Sequence, residues 1–442
     1  MRLCKLFILI FFLLFNIWAE ERPNIIIILV DDAGATDFSC YGSKQILTPH
    51  IDSLAQNGIK FTDAYTASSV CSPSRAGLLT GRYQQKFGHL ANIPHEKIAV
   101  NDPATLGLPT SETTLATALK DEGYRTHCIG KWHLGEAEKF QPNSRGFDNF
   151  YGFLSGARTY YLGGELRGDM DRIRRNNQFA EPASGYTTEI FTQEAIRIIK
   201  EESEKPFFIY LSHNAVHGPM DVKEEDIMSY NFKNPKRKKY SGLMKNLDDQ
   251  TGLLMQSLKD ADKHENTLVF FMSDNGGPTS HNGSSNWPLR SGKGSEFEGG
   301  NRTPFIIQWP AKISANTVSS TPVISYDIFT TCINVAKGKL AQDRVYDGVN
   351  LLEIINGSKP HDQRPLFWSR GKNYAIRQGK WKLITLPQGS FLYDLSKDIS
   401  EKNDLSDSFP EVKSELTQLL NKWKSTHAKA LWSTGYKEKK KH

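Results

Sequence analysis

The residues with the clearest chemical potential are a cysteine and an arginine four positions apart, Cys71 and Arg75, in the segment CSPSRAGLLTGR. We predict a helix here, with Ser72 as its cap, Pro73 in its first turn and Gly81 at its end. Cys71 would then lie at the helix amino terminus, where free amide groups and the macrodipole favour an anion. A sulfur nucleophile, this helix end and a guanidinium together indicate a site for an anionic ester. The alternative for a lone cysteine is an inert, buried side chain.

Four more groups of reactive side chains each follow an apolar segment. They are Asp31 and Asp32 after residues 24–30, Lys131 and His133 after 124–129, His213 and His217 after 206–211, and Asp274 and Asn275 after 267–272. The apolar segments are predicted strands of a parallel sheet that is buried on both faces. The carboxyl ends of such strands meet at one edge, where open α/β sheets bind ligands. Any one group could be a solvated loop, but four together predict a single site at this edge.

The residue types at this edge divide by task. Hard oxygen ligands, which suit Ca²⁺ or Mg²⁺ better than zinc, come from Asp31, Asp32, Asp274 and Asn275. Cations that can hold a sulfate or phosphate group are Lys131, Lys293 and Arg75. Side chains that can transfer protons near neutral pH are His133 and His217.

The elements that must position these groups follow from hydrophobic periodicity and from start and stop signals. Helices are predicted over residues 48–58, 111–122, 187–202, 240–261 and 410–428. A further strand is predicted over residues 305–309, and a small antiparallel sheet over residues 366–368, 374–377, 381–385 and 391–395. Residues 140–185 are predicted to be loops over the site. The basic run KNPKRKKY (233–240) is predicted to be a solvated loop, with a binding patch as the alternative.

Length, charge and cysteine content exclude several classes. The 442 residues predict one large domain, residues 20–360, and a small one, residues 361–442. The formal net charge of +6 is compatible with polyanionic substrates but too small to argue for nucleic acid. The four cysteines outside the first 19 residues are too widely spaced for a disulfide framework or a zinc site.

The first 19 residues have the pattern of a secretory signal. Arg2 and Lys5 precede an apolar run over residues 6–15, and Ala19 offers a cleavage point. An uncleaved anchor is the alternative, but the apolar run is short for a membrane span. We therefore expect a secreted or periplasmic protein without stable membrane association.

The segment from Cys71 to Arg82 also resembles a known signature. Cys-x-Pro-x-Arg ending in Leu-Thr-Gly-Arg is similar to the modification motif of the formylglycine-dependent, arylsulfatase-like sulfatases of the alkaline phosphatase superfamily. The family's other elements are resembled by residues 130–133 (GKWH), 274–277 (DNGG), 291–293 (SGK), 298–300 (EGG), 378–383 (QGKWKL) and 392–395 (LYDL). The resemblance covers nearly the whole mature chain. It implies an alkaline-phosphatase-like α/β core with a mostly parallel central sheet between helices, plus a small C-terminal antiparallel sheet with a helix.

The resemblance implies a role for each matched position. The ligands of a divalent ion, usually Ca²⁺, would be Asp31, Asp32, Asp274, Asn275 and the modified Cys71. The formylglycine hydrate would be steadied by Arg75 and His133, and the sulfate oxygens would be held by Lys131 and Lys293. His217 would protonate the leaving alcohol, with His213 as the alternative. A maturation enzyme that converts Cys71 to formylglycine is implied as a partner.

In this family one hydroxyl of the hydrate attacks sulfur, and the other expels sulfate as the aldehyde re-forms. Family members also place a polar substrate ligand after a Gly-Phe-Asp element, here residues 146–148. The candidates in this chain are Ser155, Arg158 and Tyr160. His281 is a further candidate, with a solvent-exposed histidine as the alternative.

These observations lead to the hypothesis of a sulfuric ester hydrolase that removes sulfate from a sulfated polysaccharide or oligosaccharide. The carbohydrate is inferred from the expected secretion. One alternative is a phosphonate monoester or phosphodiester hydrolase of the same superfamily, because sulfate and phosphate esters need similar cations. Another is a sulfated-glycan-binding protein without catalysis, against which the intact Cys71, Arg75 and metal-ligand candidates argue.

Overall fold

The computed structural model describes residues 22–94, 102–163, 166, 168–180, 182–358 and 363–432. The strands are β1 (Asn24–Val30), β2 (Ile59–Phe61), β3 (Ala64–Tyr65), β4 (Arg125–Lys131), β5 (Asn149–Phe153), β6 (Arg174–Arg175), β7 (Gln178–Phe179), β8 (Phe207–Ser212), β9 (Thr267–Ser273), β10 (Phe305–Gln308), β11 (Thr317–Ser319), β12 (Val323–Ile324), β13 (Leu366–Arg370), β14 (Asn373–Gln378), β15 (Trp381–Leu386) and β16 (Gly389–Asp394). The helices are α1 (Pro49–Gln56), α2 (Cys71–Thr80), α3 (Leu115–Asp121), α4 (Thr187–Lys200), α5 (Glu224–Ile227), α6 (Pro235–Asp260), α7 (Thr279–Asn282), α8 (Glu298–Asn301), α9 (Asp327–Val335), α10 (Leu351–Ile355) and α11 (Pro410–Lys424). The predicted signal segment, residues 1–19, lies outside the described residues.

Strand β1 lies inside a large sheet whose order, over the described residues, is β11-β2-β10-β9-β1-β8-β4-β5-β6-β7. Strands β9, β1, β8, β4 and β5 are parallel. Successive side chains of β1 point to opposite faces. Ile25 and Ile27 pack with α2, α3 and α9, whereas Ile26 and Ile28 pack with α1, α4 and α6. Because helices cover both faces, the strand is apolar throughout, and the predicted α/β class is confirmed.

The sheet also contains pairings that the sequence did not predict. Strand β10 runs antiparallel to β9, so the sheet is mixed. The prediction of loops over residues 140–185 is wrong in part, because β5 pairs in parallel with β4, and β6 and β7 extend this edge. Strand β5, NFYGF, has three aromatic residues that favour a strand, but the asparagine and the glycine do not, so this five-residue segment has no clear pattern. It fits because a Cβ on Gly152 would lie 1.9 Å from the Gly130 carbonyl oxygen, so only a glycine allows this close pairing.

The basic run is the start of a helix, which corrects the prediction of a loop. Helix α6 begins at Pro235, and the Asn234 side chain caps it by accepting hydrogen bonds from the backbone amides of Lys236 and Arg237, at 2.9 and 3.4 Å. Asparagine at the cap followed by proline is a helix-start signal. The run of lysines and arginine around it is typical of a solvated loop, so the helix start was not predicted.

The C-terminal segment forms a second, smaller sheet, as predicted. Strands β13 to β16 pair antiparallel in sequence order, and α11 packs on them through Leu416 and Leu420. Trp368 joins this sheet to the main body by donating a hydrogen bond to the Thr66 carbonyl at 2.8 Å. The predicted boundary between residues 360 and 361 lies outside the described residues and stays a prediction. In the described part of the chain, no helix is both long and apolar enough to span a membrane.

Candidate active site

The carboxyl ends of four adjacent parallel strands, β9, β1, β8 and β4, bring the predicted groups to one edge of the sheet. Asp31 and Asp32 follow β1, Asp274 and Asn275 follow β9, and Lys131 is the last residue of β4. Backbone hydrogen bonds hold these ends in register, including one from the Asp31 amide to the Ala215 carbonyl at 2.8 Å. The predicted convergence of separate sequence segments is therefore present.

Helix α2 places Cys71 at its first position, inside this edge. Its cap is Val70, which makes no side-chain capping bond, so the prediction of a Ser72 cap is wrong. The Ser72 hydroxyl instead donates to the His133 carbonyl at 2.7 Å and accepts from His89 Nε2 at 2.7 Å. Ser72 thus joins the start of α2 to the segment after β4. Gly81 ends the helix in the left-handed conformation, with φ of 68°, as predicted.

The Cys71 sulfur lies between a carboxylate and an ammonium group. Its Sγ is 3.5 Å from Asp31 Oδ1 and 3.1 Å from Lys293 Nζ. Burial raises the pKa of the thiol to about 12, and the Asp274 carboxylate adds to this rise, which outweighs the effect of Lys131 and Lys293. Desolvation therefore dominates, and the unmodified thiol is protonated at neutral pH.

A buried lysine and a partly buried lysine neutralise the paired aspartates. Lys131 Nζ lies 2.5 Å from Asp31 Oδ2, and Lys293 Nζ lies 2.6 Å from Asp32 Oδ1. Burial acts to raise the pKa of both carboxyls, but the lysines and His217 outweigh it and lower both pKa values. Both aspartates are therefore ionised at neutral pH.

Several potential metal-ligand atoms lie close together at this edge. Ligand atoms of Asp31, Asp32, Cys71 and His217 all lie within 4.8 Å of one another. The Asn275 amide nitrogen donates to Asp32 Oδ1 at 2.7 Å, whereas its buried Oδ1 has no hydrogen-bond partner. A buried carbonyl oxygen without a donor, placed among carboxylates, is the arrangement that a bound cation satisfies.

Arg75 ties three strand ends together. Its Nε and Nη2 donate to Asp274 Oδ2 at 2.9 and 2.8 Å. Its Nη1 donates to the Lys131 carbonyl at 3.1 Å and to the Ser212 hydroxyl. The side chain is fully buried. Arg75 therefore aligns the ends of β9, β4 and β8, a geometry that its sequence position alone did not predict.

His133 is held in a tight, buried position against a glycine. Its backbone is in the left-handed region, with φ of 58°, and its Nδ1 has no hydrogen-bond partner. A Cβ on Gly156 would lie 2.6 Å from His133 Nε2, so the glycine leaves room for the imidazole. Burial lowers the pKa of His133 well below its ordinary value, and Lys131, Arg75 and Lys293 lower it further. The ring is therefore neutral.

The two histidines after β8 differ in exposure and contacts. His217 keeps 23% of its side chain exposed, and its Nε2 lies 3.5 Å from Asp32 Oδ2. Its Nδ1 is 2.5 Å from the Gly218 carbonyl, which assigns the proton to Nδ1 in the neutral ring. His213 is buried, and burial lowers its pKa to about 3. This contrast favours His217 over His213 for any exchange of protons with a ligand.

Three of the candidate substrate contacts form hydrogen bonds within the protein. The Ser155 hydroxyl contacts Asp171 Oδ1, and Arg158 donates to the carbonyls of Thr159 and Asp171 at 3.0 and 3.1 Å. The Tyr160 hydroxyl lies 2.9 Å from the His217 carbonyl and so braces the His217 loop. These contacts give the three residues structural roles. His281, in contrast, is exposed on α7, with Ser280 Oγ 3.0 Å from its Nδ1.

Two asparagines support the site but were missed from the sequence. Asn282 Nδ2 donates to the Asp32 carbonyl at 3.1 Å and to the Val216 carbonyl at 3.5 Å. Asn286 Oδ1 accepts from the amides of Ala35 and Gly277, both at 3.1 Å. An asparagine in a polar loop carries no local sign of burial, so neither residue could be identified before the loop was placed.

Comparisons with known proteins agree with this geometry. The family model described as Sulfatase matches residues 23–338, and the model described as N-sulphoglucosamine sulphohydrolase, C-terminal, matches residues 292–426. The chain is 34% identical to N-acetylgalactosamine-6-sulfatase of Canis lupus familiaris, over 82% of this chain and 72% of that protein. It is 30% identical to arylsulfatase J of Mus musculus, over 92% of this chain and 76% of that protein.

A solved structure shows the same similarity in three dimensions. The crystal structure of Ps i-CgsB in complex with k-i-k-neocarrahexaose superposes with a TM-score of 0.89 at 34% identity, covering 94% of this chain and 95% of that chain. The match of the family model over most of the chain, the sequence relatives and this fold all agree with the motif that begins at Cys71. The chain therefore belongs to the sulfatase family and is a sulfuric ester hydrolase.

Proposed function

We propose that this sulfatase removes sulfate from a sulfated carbohydrate, with a nucleophile derived from Cys71 and a divalent cation at the carboxylate cluster. The observation that carries the proposal is the position of Cys71 Sγ, at the first residue of α2 and in contact with both Asp31 and Lys293. The carbohydrate is supported by the relatives, whose names include a galactosamine sulfatase and a protein bound to a neocarrahexaose.

The proposed cation ligands are Asp31, Asp32, Asp274, Asn275 and the modified residue 71. Three carboxylates and an amide oxygen suit Ca²⁺, with Mg²⁺ as the alternative. The unpartnered Oδ1 of Asn275 supports this assignment. When bound, such a cation offsets charge on the sulfate oxygens. The two lysines that now face Asp31 and Asp32 are then free to face the substrate.

Conversion of Cys71 to formylglycine by a maturation enzyme is the proposed source of the nucleophile. The buried thiol, with a pKa of about 12, is protonated at neutral pH and is therefore a poor nucleophile. Formylglycine supplies a hydrated aldehyde whose hydroxyl can attack sulfur. Arg75, fixed by Asp274, and the neutral His133 are proposed to hold residue 71 in position.

Lys131 and Lys293 are proposed to bind the sulfate oxygens. Their ammonium groups lie beside Asp31 and Asp32, and that of Lys293 is 3.1 Å from Cys71 Sγ. The low local polarity strengthens their attraction for an anion. Although burial acts to lower the pKa of Lys293, Asp32 and the other surrounding acids raise it well above its ordinary value. Lys293 therefore stays charged throughout the working pH range.

His217 is proposed as the general acid for the leaving alcohol. Its Nδ1 proton is held by the Gly218 carbonyl, so Nε2 carries a transferable proton when the ring is an imidazolium. Burial lowers the pKa of His217, whereas the Asp31 and Asp32 carboxylates favour this charged form. The ring is the partly exposed histidine of the cluster, so a bulky sugar can reach it. The sulfate group would then lie between His217 and residue 71, an arrangement suited to in-line displacement.

Secretion or periplasmic localisation, after cleavage of residues 1–19, and a division into domains over residues 20–360 and 361–442 remain proposals from the sequence.

The decisive test is sulfate release by matured protein with Ca²⁺. The panel contains sulfated glycans, an aryl sulfate and a phosphonate monoester, with Cys71→Ala as the control. We expect sulfate from one class of glycan and none from the control, although the control still binds the glycan. Faster turnover of the phosphonate would favour the alternative hydrolase. Binding without any turnover, after mass spectrometry shows formylglycine at position 71, would favour the non-catalytic glycan-binding protein.

A further inference from the structure

The start of helix α6 presents a row of exposed lysines beside the candidate active site. We propose that this lysine ridge, Lys233, Lys236 and Lys239, binds additional sulfate groups of a polysulfated carbohydrate while one of its sulfates is hydrolysed. The inference rests on the proposed function and narrows its substrate to a chain with several sulfates. All three side chains are exposed.

Direct contacts connect the ridge to the catalytic cluster. Lys236 Nζ donates to the Ser280 carbonyl of α7 at 2.8 Å. Asn282, at the end of α7, donates to the carbonyl of Asp32 at 3.1 Å and to that of Val216 at 3.5 Å. A single four-residue helix therefore separates the ridge from Asp32 and from the loop that carries His217.

A second set of contacts fixes the orientation of α6. Arg237 Nη1 lies 2.6 Å from Asp37 Oδ1 and donates to the Gly283 carbonyl at 3.1 Å. Tyr240 Oη accepts from the Gly34 amide at 3.0 Å. Both Gly34 and Asp37 lie in the segment that follows the aspartate pair. Arg237 and Tyr240 thus bind the protein through buried or half-buried side chains, whereas the ridge lysines stay exposed, Lys236 with a single bond to the Ser280 carbonyl.

The charges of the ridge are uncompensated within the protein. Residues 233–239 contain five cations and no acidic residue. In the described part of the chain, Arg237 is paired with Asp37, whereas none of the three ridge lysines contacts a carboxylate. Such a cluster produces a local positive field that attracts polyanions.

Helix energetics argue against a purely solvating role. The amino terminus of a helix carries positive partial charge, so cations there are unfavourable. Helix α6 has no acidic residue in its first turn and places Lys236, Lys238 and Lys239 in its first two turns. A bound anion would benefit from both the lysines and the helix end. The ridge is therefore arranged for an anionic ligand, at the expense of helix stability.

The chemistry favours a sulfated glycan chain over a single small anion. The ridge lysines are spread over seven positions, and Lys236 and Lys239 share one face of the helix. An extended chain can place successive sulfates along this row while another sulfate enters the site. Solvent-exposed ammonium groups bind each sulfate weakly, so affinity requires several contacts.

The test compares two triple variants that remove the same charge. Lys233→Gln, Lys236→Gln and Lys239→Gln together neutralise the ridge, and glutamine preserves helix propensity. The control neutralises three exposed lysines elsewhere, as Lys402→Gln, Lys422→Gln and Lys429→Gln. The substrates are a carrageenan hexasaccharide with several sulfates and a monosulfated aryl ester. Both triple variants are also combined with Cys71→Ala to measure the Kd of the hexasaccharide without turnover.

We expect the ridge variant to lose about 10-fold in kcat/KM on the hexasaccharide, mainly through KM, which corresponds to about 1.4 kcal/mol. Its rate on the aryl ester stays at the wild-type value, and the loss diminishes at high salt. In the Cys71→Ala background its Kd for the hexasaccharide rises about 10-fold. The control variant stays within about 2-fold of wild type in every assay.

Three outcomes would overturn the proposal. The first is an unchanged Kd for the hexasaccharide in the ridge variant, and the second is an equal loss in the control variant. The third is competition by a single-stranded RNA of equal charge as strong as that by the hexasaccharide, which would mean a non-selective polyanion surface. Because the Kd needs no catalysis, failure of every substrate to react counts against the proposed function alone.

Discussion

The contact between Gly156 and His133 allows a specific test of the site. Replacing Gly156 by alanine would place a Cβ 2.6 Å from His133 Nε2 and 2.8 Å from Cε1. Gly156 has no positive φ, so the substitution adds no backbone strain, and its whole effect must pass through the space it fills. The imidazole therefore has to move.

The size of the movement sets the expected loss of activity. Ordinary carbon contacts begin near 3.4 Å, so the ring has to shift by about 0.8 Å or more. A displacement of about 1 Å in a catalytic constellation can cost about 10²-fold in rate. We expect kcat for sulfate release to fall about 10²-fold. Overpacking of this kind costs about 1–3 kcal/mol of stability, so the variant should still fold.

The assay is a double-mutant cycle with His133→Ala, read as kcat on the preferred sulfated substrate. Urea unfolding of each variant controls for stability. If Gly156→Ala acts through the imidazole, it causes no further loss once His133 is replaced. A rate within about 2-fold of wild type, or an equal loss in both backgrounds, would refute the reasoning.

Three further predictions concern the cation site and a buried cluster between the two sheets. Chelation should abolish sulfate release and lower Tm, and Ca²⁺ at about 100 times its Kd should restore about 2.7 kcal/mol of stability; an unchanged Tm would contradict a cation site. Lys382 Nζ lies 2.7 Å from Glu298 and 3.0 Å from Glu401, and all three side chains are fully buried. Lys382→Met should therefore lower the free energy of unfolding in urea by about 3–5 kcal/mol, because it leaves buried carboxylates unpaired. The control Lys380→Met, at an exposed ion pair, should lower it by under about 1 kcal/mol, and equal losses would contradict this prediction. Burial raises the pKa of Glu401 from 4.5 to about 7, so the folded state binds more protons than the unfolded chain between these values. As pH rises from 4.5 to 7, the free energy of unfolding of the wild type should thus fall by about 3 kcal/mol more than that of Glu401→Gln. Parallel pH profiles for the two proteins would contradict this prediction.

The agreement between sequence and structure is closest for the strands that carry the site. The run NIIIILV is apolar at every position because helices cover both faces of β1, and this requirement is visible locally. The aspartate pair after it interrupts the run, so its position at a strand end is visible as well. The same argument located the groups after β4, β8 and β9. Because these strands are parallel and adjacent, their carboxyl ends lie at one edge of the sheet, and the groups that follow them meet there.

The sequence was less informative where partners come from distant segments. Ser72 had the residue type and position of a cap, yet its hydroxyl bonds the His133 carbonyl, 61 positions away. Strand β5 was missed because it is short and contains a glycine, and its pairing with β4 involves a segment about 20 positions away. The basic run at α6 was misassigned because charge density concealed an Asn-Pro helix start.

By itself, the sequence determined the α/β class, the family and the groups that form the candidate site, because burial of strands and short motifs are local properties. Only the tertiary structure decided the electrostatics of that site. The pKa of the Cys71 thiol depends on its depth and on Asp274, and the pairing of Lys293 with Asp32 joins residues 261 positions apart. The space that Gly156 leaves for His133 is likewise absent from any local pattern. Residue types limit which reactions are possible, but the distances between side chains that are remote in sequence determine their pKa values and their partners. Those distances exist only in the packed chain.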